Sequence, residues 1–219
     1  RALPAARRPN EPVLAPFLAR GLLPPVDQSF FAGVHRLPGA HRLRFADGRI
    51  EVRQYWTPRS IDMPRDYAEA VAMLRELLVD SIRLRLRSDV PIGTSLSGGI
   101  DYSAVVALAG SLAEDATRHA FTASFPGYEH DEWAYAAQVA ASAGVVEHHR
   151  VLPDVDELAD DLDALVRDQQ EPFASLSIYA QWRVMRAARE AGVTVLLDGQ
   201  GGDELFAGYD GIMGWAARS

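Results

Sequence analysis

Apolar and polar positions alternate with a period of two over His41-Arg42-Leu43-Arg44-Phe45 and again over Ile50-Glu51-Val52-Arg53-Gln54-Tyr55-Trp56, on either side of Asp47-Gly48. That pattern predicts a two-stranded hairpin. From Asp66 to Arg87 the period lengthens: Tyr67, Val71, Leu74, Leu78 and Ile82 recur at three- and four-residue steps, which predicts an amphipathic helix. Short apolar runs and helical stretches then take turns. Ile92 to Leu96 reads as a strand, the segment through Val105, Val106 and Leu108 as a helix, Ala120 to Phe125 as a strand, and Asp131 to Ala143 as a helix ended by Gly144. Val145 to Val151 reads as a third strand, followed by helices over Val155 to Val166 and Ile178 to Ala191. The continuous apolar run Val193 to Leu197 predicts a strand buried on both faces. Repeated strand–helix units predict an α/β fold with a doubly wound parallel sheet. Such sheets take ligands beyond the carboxyl ends of their strands, where segments 97–103 and 198–204 fall.

The amino-terminal quarter has a different texture. Seven of the 13 prolines lie within residues 1–38 and are expected to interrupt any helix or central strand there. Residues 1–60 are therefore expected to be loops and a hairpin without a core of their own, the tail of a preceding domain or an arm on the next. Residues 61–219 are expected to form the main domain.

Bulk composition, 48% hydrophobic and 24% charged, is that of a globular domain with a sizeable core. A net charge of −8 argues against a nucleic-acid surface, which needs basic patches to neutralise phosphates. The chain has no cysteine, which excludes disulfides, thiolate metal sites and a thiol nucleophile. No apolar run approaches a membrane span, and residues 1–20 lack the apolar centre of a signal peptide. A cytoplasmic setting is expected. The start at Arg1 hints at an excerpt of something longer.

The chemistry sits in the two glycine-rich segments. In Ser97-Gly98-Gly99-Ile100-Asp101-Tyr102-Ser103, consecutive glycines after a strand let the backbone approach an anion. The next helix offers its unpaired N–H groups and positive end. Ser97 and Ser103 add hydroxyls, and Asp101 can hold a magnesium ion bridging phosphate oxygens. The Walker lysine is absent, so this is not a kinase-type phosphate loop. The plainer alternative is a tight turn capped by serines. The second segment, Asp198-Gly199-Gln200-Gly201-Gly202-Asp203-Glu204, again combines glycines with carboxylates that open a helix. Asp203 is the better metal candidate, sharing a sheet edge with Asp101. Glu204 fits either function or the helix dipole.

Together the two loops resemble the synthetase domain of the glutamine-dependent asparagine synthetases, which carry Ser-Gly-Gly-x-Asp-Ser and, later, Gly-x-Gly-x-Asp-Glu-x-x-x-Gly-Tyr. The likeness extends to Phe30 through Gly39, Tyr55-Trp56, Arg85 through Gly93, Asp131-Glu132, Glu147-His148-His149 and Glu171-Pro172, and so runs along nearly the whole chain. It implies a sheet of the pyrophosphate-loop type and an ATP-dependent, AMP-forming ligase. A substrate carboxylate, usually that of aspartate, is adenylated with loss of pyrophosphate, and ammonia from glutamine displaces AMP. By position it implies that Ser97, Gly98, Gly99, Asp101 and Ser103 bind pyrophosphate. Leu96, Ala123 and Gly199 would line the adenine and ribose, and Asp101 with Asp203 would hold Mg2+. Small-molecule substrates are implied as partners, with no nucleic acid or membrane, and the resemblance leaves room for a homodimer.

This sequence departs from the family pattern at three points. Tyr102 replaces the usual serine and can either crowd the anion or point outward. Gln200, carried over as catalytic together with Asp203, replaces a glutamate thought to orient or deprotonate the amine, and an amide is no base. The family's amino-terminal cysteine nucleophile and a later lysine have no counterpart here, so the chain is expected to be incomplete as an enzyme. Rival readings are a β-lactam- or macrolactam-forming synthetase of the same fold and a non-catalytic nucleotide-binding module. Elsewhere, plain readings prevail. His148 and His149 beside Glu147 lack a third metal ligand in the sequence around them and are expected to serve packing or a substrate edge. Trp133, Tyr179 and Trp182 are expected in a core or interface, Arg83, Arg85 and Arg87 on a solvated helix end, and Asp154 to Asp163 on the wet face of a helix.

Overall fold

A computed structural model of the chain describes residues 8–59, 62, 64–113 and 119–209. Two units divide it: residues 1–63 with 166–174, and residues 64–165 with 175–219. Residues 210–219, the end of the expected main domain, lie outside the described residues.

In the first unit, β1 (His41–Ala46) and β2 (Arg49–Gln54) pair antiparallel in the register Leu43↔Val52 and Phe45↔Ile50. Asp47 (φ 51°) and Gly48 (φ 72°) supply the two left-handed residues of the tight turn, matching the alternation read from the sequence. The expectation that the prolines forbid a helix is overturned by α1 (Glu11–Arg20). Pro12 stands in its first turn, where a missing N–H costs nothing, and Pro16 removes one interior bond. Val13 and Phe17, one turn apart, offset that loss by burying themselves with Phe30, whose ring meets Phe17 edge-on at 4.9 Å. The unit therefore has a small core of its own, contrary to the expectation. Arg36 and Glu171, from two segments that resemble the asparagine synthetases, form an ion pair within it.

The second unit is built on four parallel strands in the order β5 (Glu147–Val151), β4 (His119–Ala123), β3 (Ile92–Ser95), β6 (Val195–Leu197). The chain runs outward from β3 through β4 to β5 and then returns to the other side of β3. The order reverses between β3 and β6, so the two glycine-rich segments leave the sheet on either side of that switch point. Helices α2 (Tyr67–Arg85), α3 (Ile100–Leu112) and α4 (Trp133–Ser142) cover one face, and α6 (Ser177–Glu190) lies on β4 and β5. On one side Leu96, Val106, Ala120, Ala136 and Ala140 close a core cluster; on the other Phe121, Val151, Val184, Ala188 and Val193 do. Each fully buried Leu, Val or Phe among them contributes about 1.5–3 kcal/mol.

Capping follows the sequence. Asp66 accepts the Glu69 N–H at the start of α2 (3.0 Å), and Gly144 (φ 73°) follows α4. Arg83 and Arg85 stand exposed in the last turn of α2, as read. The last apolar run behaves differently from its reading. Only Val195–Leu197 join the ladder, and Val195 is 37% exposed. β6 is the outer strand among the described residues, so one edge lacks a neighbour, while Val193 is held by the Ala188 carbonyl at the end of α6.

Helix α5 (Val155–Gln169) buries Leu165, and most of its acidic residues are exposed as expected. Asp161 is the exception. It accepts from the Tyr179 hydroxyl (3.0 Å) and from Arg186 (3.0 Å), with Arg183 at 3.4 Å, and so ties α5 to α6. Tyr179 is buried, and Trp182 stacks on it at 6.2 Å.

Candidate active site at the switch point

A cleft of about 460 Å³ opens at the carboxyl ends of β3, β4 and β6. Its floor is Ser95, Leu96, Phe121 and Ala123; the loop after β4 adds Phe125, Tyr128 and His130, and α6 adds Ile178, Gln181 and Val184. Of the residues singled out in the sequence, Leu96, Ser97, Tyr102, Ala123 and Gln200 line this space. Gly98, Gly99, Asp101, Ser103, Gly199 and Asp203 stand around it without being part of its wall.

The first glycine loop is shaped by two contacts. Gly98 has φ 82°, and a Cβ there would come within 2.8 Å of Tyr135 Cβ and 3.0 Å of the Ala136 nitrogen, so this glycine lets the loop press against the first turn of α4. The Gly99 N–H is taken by the Ser97 hydroxyl at 3.2 Å, and Gly99 then opens α3. Asp101 and Ser103 sit half-buried in the first turn of that helix.

The second loop meets the first through Tyr102 and Asp101. A Cβ on Gly199 would lie 2.7 Å from Tyr102 Cδ2 and 3.0 Å from both its Cγ and its nitrogen, and one on Gly202 would lie 2.4 Å from Asp101 Oδ2. The Tyr102 ring thus does not point outward. It wedges between the loops, packs on the Leu96–Val106 cluster and presents part of itself to the cleft. Burial, and then the carboxylates of Asp198, Glu132, Asp203 and Asp101, push its hydroxyl up to about 12. Four carboxylates thus act on one phenol, while among the described residues the cleft wall holds neither arginine nor lysine. Hard oxygen donors of this kind suit Mg2+. The Asp203 carboxylate lies against Gly208, and Glu204 accepts from the Tyr209 hydroxyl at 2.7 Å, so Glu204 is engaged in closing its own loop.

A hydrogen-bonded brace supports the far wall. Asp131 accepts the Ser124 hydroxyl and the Phe125 N–H, both at 3.0 Å, and faces Arg150 at 3.6 Å. Burial alone would raise its carboxyl; the bonds from Phe125, Ser124 and Trp133 and the charge of Arg150 outweigh this and hold it below the usual carboxylate range. Arg150 also donates to Ser124 and lies over the Trp133 ring at 4.9 Å. Trp133 in turn stacks on His148 at 4.3 Å. Thr122 donates its one hydroxyl hydrogen to the Leu96 carbonyl (2.5 Å), so His148 must donate from Nε2 to the Thr122 oxygen (2.8 Å). His148 is therefore a packing residue, as expected. Glu132, whose carboxyl burial and then Asp131 raise, faces the cleft.

Asp198 and Glu132 stand within motifs recognised in the sequence but were given no role there, and the walls from 125–130 and α6 were missed. Ile178, Gln181 and Val184 recur at helical spacing, a signal for one face without indication of what that face meets.

The asparagine synthase family model matches residues 73–219. A Methanocaldococcus jannaschii protein bearing an asparagine synthetase (glutamine-hydrolyzing) name is 31% identical, the match covering 91% of this chain and 38% of that protein. Amidase chyE of Penicillium rubens is 32% identical over 84% of this chain and 30% of its own length. Asparagine synthetase (glutamine-hydrolyzing) 1 of Bacillus subtilis is 30% identical over 79% and 27%. The chain thus spans only about a third of the length of these relatives.

Proposed function

We propose that this chain, which belongs to the asparagine synthase family, carries the part of an ATP-dependent amide ligase that binds the nucleotide and adenylates a carboxylic acid. The observation that carries this reading is the meeting of two glycine-rich loops at the sheet's switch point, beside a cleft rimmed by carboxylates. In the proposed reaction a substrate carboxylate oxygen bonds to the α-phosphorus of ATP. The bond from that phosphorus to the bridging oxygen breaks, and pyrophosphate leaves. An amine then attacks the acyl carbon, loses a proton, and AMP departs.

Leu96, Ala123 and Gly199 would border the adenine and ribose. Ser97, Gly98, Gly99 and Ser103, with the start of α3, would receive the pyrophosphate oxygens. Asp101 and Asp203 would hold Mg2+, which when bound neutralises phosphate charge. Gln200 would face the incoming amine as a hydrogen-bonding group and not as a base. Residues 1–60 would be the tail of a preceding glutaminase-like domain, and aspartate and glutamine-derived ammonia are the first substrates to try. Gln200, together with the amidase-named relative, supports a second reading in which the same chemistry serves another acid or an internal amine.

ATP–pyrophosphate exchange, run on the protein containing this chain with a panel of carboxylic acids, separates these readings. Aspartate-dependent exchange supports asparagine formation, and exchange with another acid redirects the substrate. Nucleotide binding without exchange for any acid would leave a binding module and sink the ligase.

A further inference from the structure

At the amino end of the sheet, away from the cleft, three side chains converge that the adenylation chemistry leaves unused. His119 opens β4 and Glu147 opens β5, and the parallel register sets the two side by side. His149, two residues further along β5, shares a face with Glu147 because side chains alternate along a strand. The Phe121 ring stacks on His149 with centroids 4.5 Å apart and planes 9° apart, which fixes the imidazole's orientation.

His119 Nδ1 lies 3.1 Å from His149 Nε2 and 3.6 Å from Glu147 Oε2, and His149 Nε2 lies 3.8 Å from the same oxygen. The in-plane point equidistant from these three atoms is about 2.0 Å from each. An ion raised about 0.7 Å toward a fourth ligand would be about 2.2 Å from each, within about 0.2 Å of zinc–nitrogen and zinc–oxygen bond lengths. In a tetrahedral zinc site neighbouring ligand atoms stand about 3.3 Å apart, close to the spacings here. We infer that His119, Glu147 and His149 form a binding site for a divalent transition-metal ion, zinc being the best fit, with water as the fourth ligand.

Two imidazoles and one carboxylate suit zinc and its first-row neighbours, whereas Mg2+ and Ca2+ prefer sets made of oxygen alone. The side chain of Glu147 is 50% exposed and that of His149 30%, so the outer position opens to solvent. Three residues of β4 lie between His119 and Ala123 at the cleft, about 13 Å along the strand. None of the three ligands belongs to the cleft wall, although the Phe121 ring touches both places, and a bound ion would clamp the outer strand β5 to β4. The third ligand, which the sequence around Glu147-His148-His149 does not supply, comes from a strand 28 residues earlier and is delivered by sheet register.

The test uses the protein containing this chain, stripped with chelator and held in excess Mg2+ so that hard-oxygen sites are filled. Zinc is titrated calorimetrically and Co2+ by its visible absorption. One equivalent of zinc should bind, Co2+ should show the intense bands of a four-coordinate nitrogen–oxygen site, and zinc should raise the unfolding temperature. His149→Ala should abolish all three effects. Glu147→Gln, at an exposed position that tolerates the change in the folded protein, should weaken zinc by more than about 100-fold, the upper end for loss of an outer-sphere partner alone. Failure of the folded protein to bind zinc, or an equivalent retained in both variants, would overturn the assignment. Exchange activity, read separately, reports on the cleft and not on this site.

Discussion

Gly199→Ala probes the wedge between the two loops. The added methyl would sit 2.7 Å from Tyr102 Cδ2 and 3.0 Å from its Cγ, inside normal contact, and 3.0 Å from its nitrogen. Gly199 does not have a positive φ, so the backbone accepts alanine and any cost comes from crowding. Overpacking of this kind costs about 1–3 kcal/mol. Removing the ring with Tyr102→Ser should relieve the side-chain part and leave the milder contact with the backbone nitrogen. A double-mutant cycle should therefore give a coupling of about 1–2 kcal/mol between the two positions. In a domain of this size that corresponds to about 3–6 °C in melting temperature. The four proteins would be compared by thermal unfolding and by nucleotide affinity. Gly199→Ala should weaken nucleotide binding on the wild-type background and do so less on the Tyr102→Ser background. A coupling near zero would mean that the ring does not lie on Gly199. A clear loss of nucleotide affinity in Tyr102→Ser alone would instead make the ring an adapted contact.

Gly98→Ala should lower stability by about 2–3 kcal/mol in urea unfolding, because the residue combines φ 82° with backbone of α4 3.0 Å away. Asp131 is held below its ordinary carboxylate value, so its contribution to stability is fully present above about pH 5 and is lost as pH falls below about 4, through the depressed value. Trp133 fluorescence should follow that loss in acid titration, and Asp131→Asn should flatten it; an unchanged acid profile in the variant would count against the brace. Arg183→Met strips a charge from the half-buried Asp161 and a partner from Tyr179, and should cost about 1–3 kcal/mol in thermal unfolding. Asp161→Asn added to it should recover part of that loss.

How much of this was legible depended on the range of the interaction. Period and punctuation fixed the hairpin at Asp47-Gly48, the cap at Asp66 and the strand–helix alternation, all of them local matters. The two loops could be placed at one sheet edge because parallel strands align their carboxyl ends. What escaped was set by partners distant in sequence. Nothing near Val13 and Phe17 announces Phe30, whose packing sustains a helix through Pro16. Asp161 reads as one more solvent-facing acid until α6 brings Tyr179, Arg183 and Arg186 to it. Tyr102 could be recognised as unusual, but its packing on Gly199 required both loops in place.

The brace behind the cleft has a consequence for how a ligand arrives. Leu96 on the floor and Phe125 at the edge hang from one chain of contacts through Thr122, His148, Trp133, Arg150, Ser124 and Asp131. A wall supported in this way is already in its working position before anything enters. Little conformational entropy remains to be lost on that side, and association there should be a single encounter without a following ordering step. Residence time would then be set by the contacts made and by the opposite rim, where Asp198 accepts the Gln200 N–H within its own loop (2.6 Å).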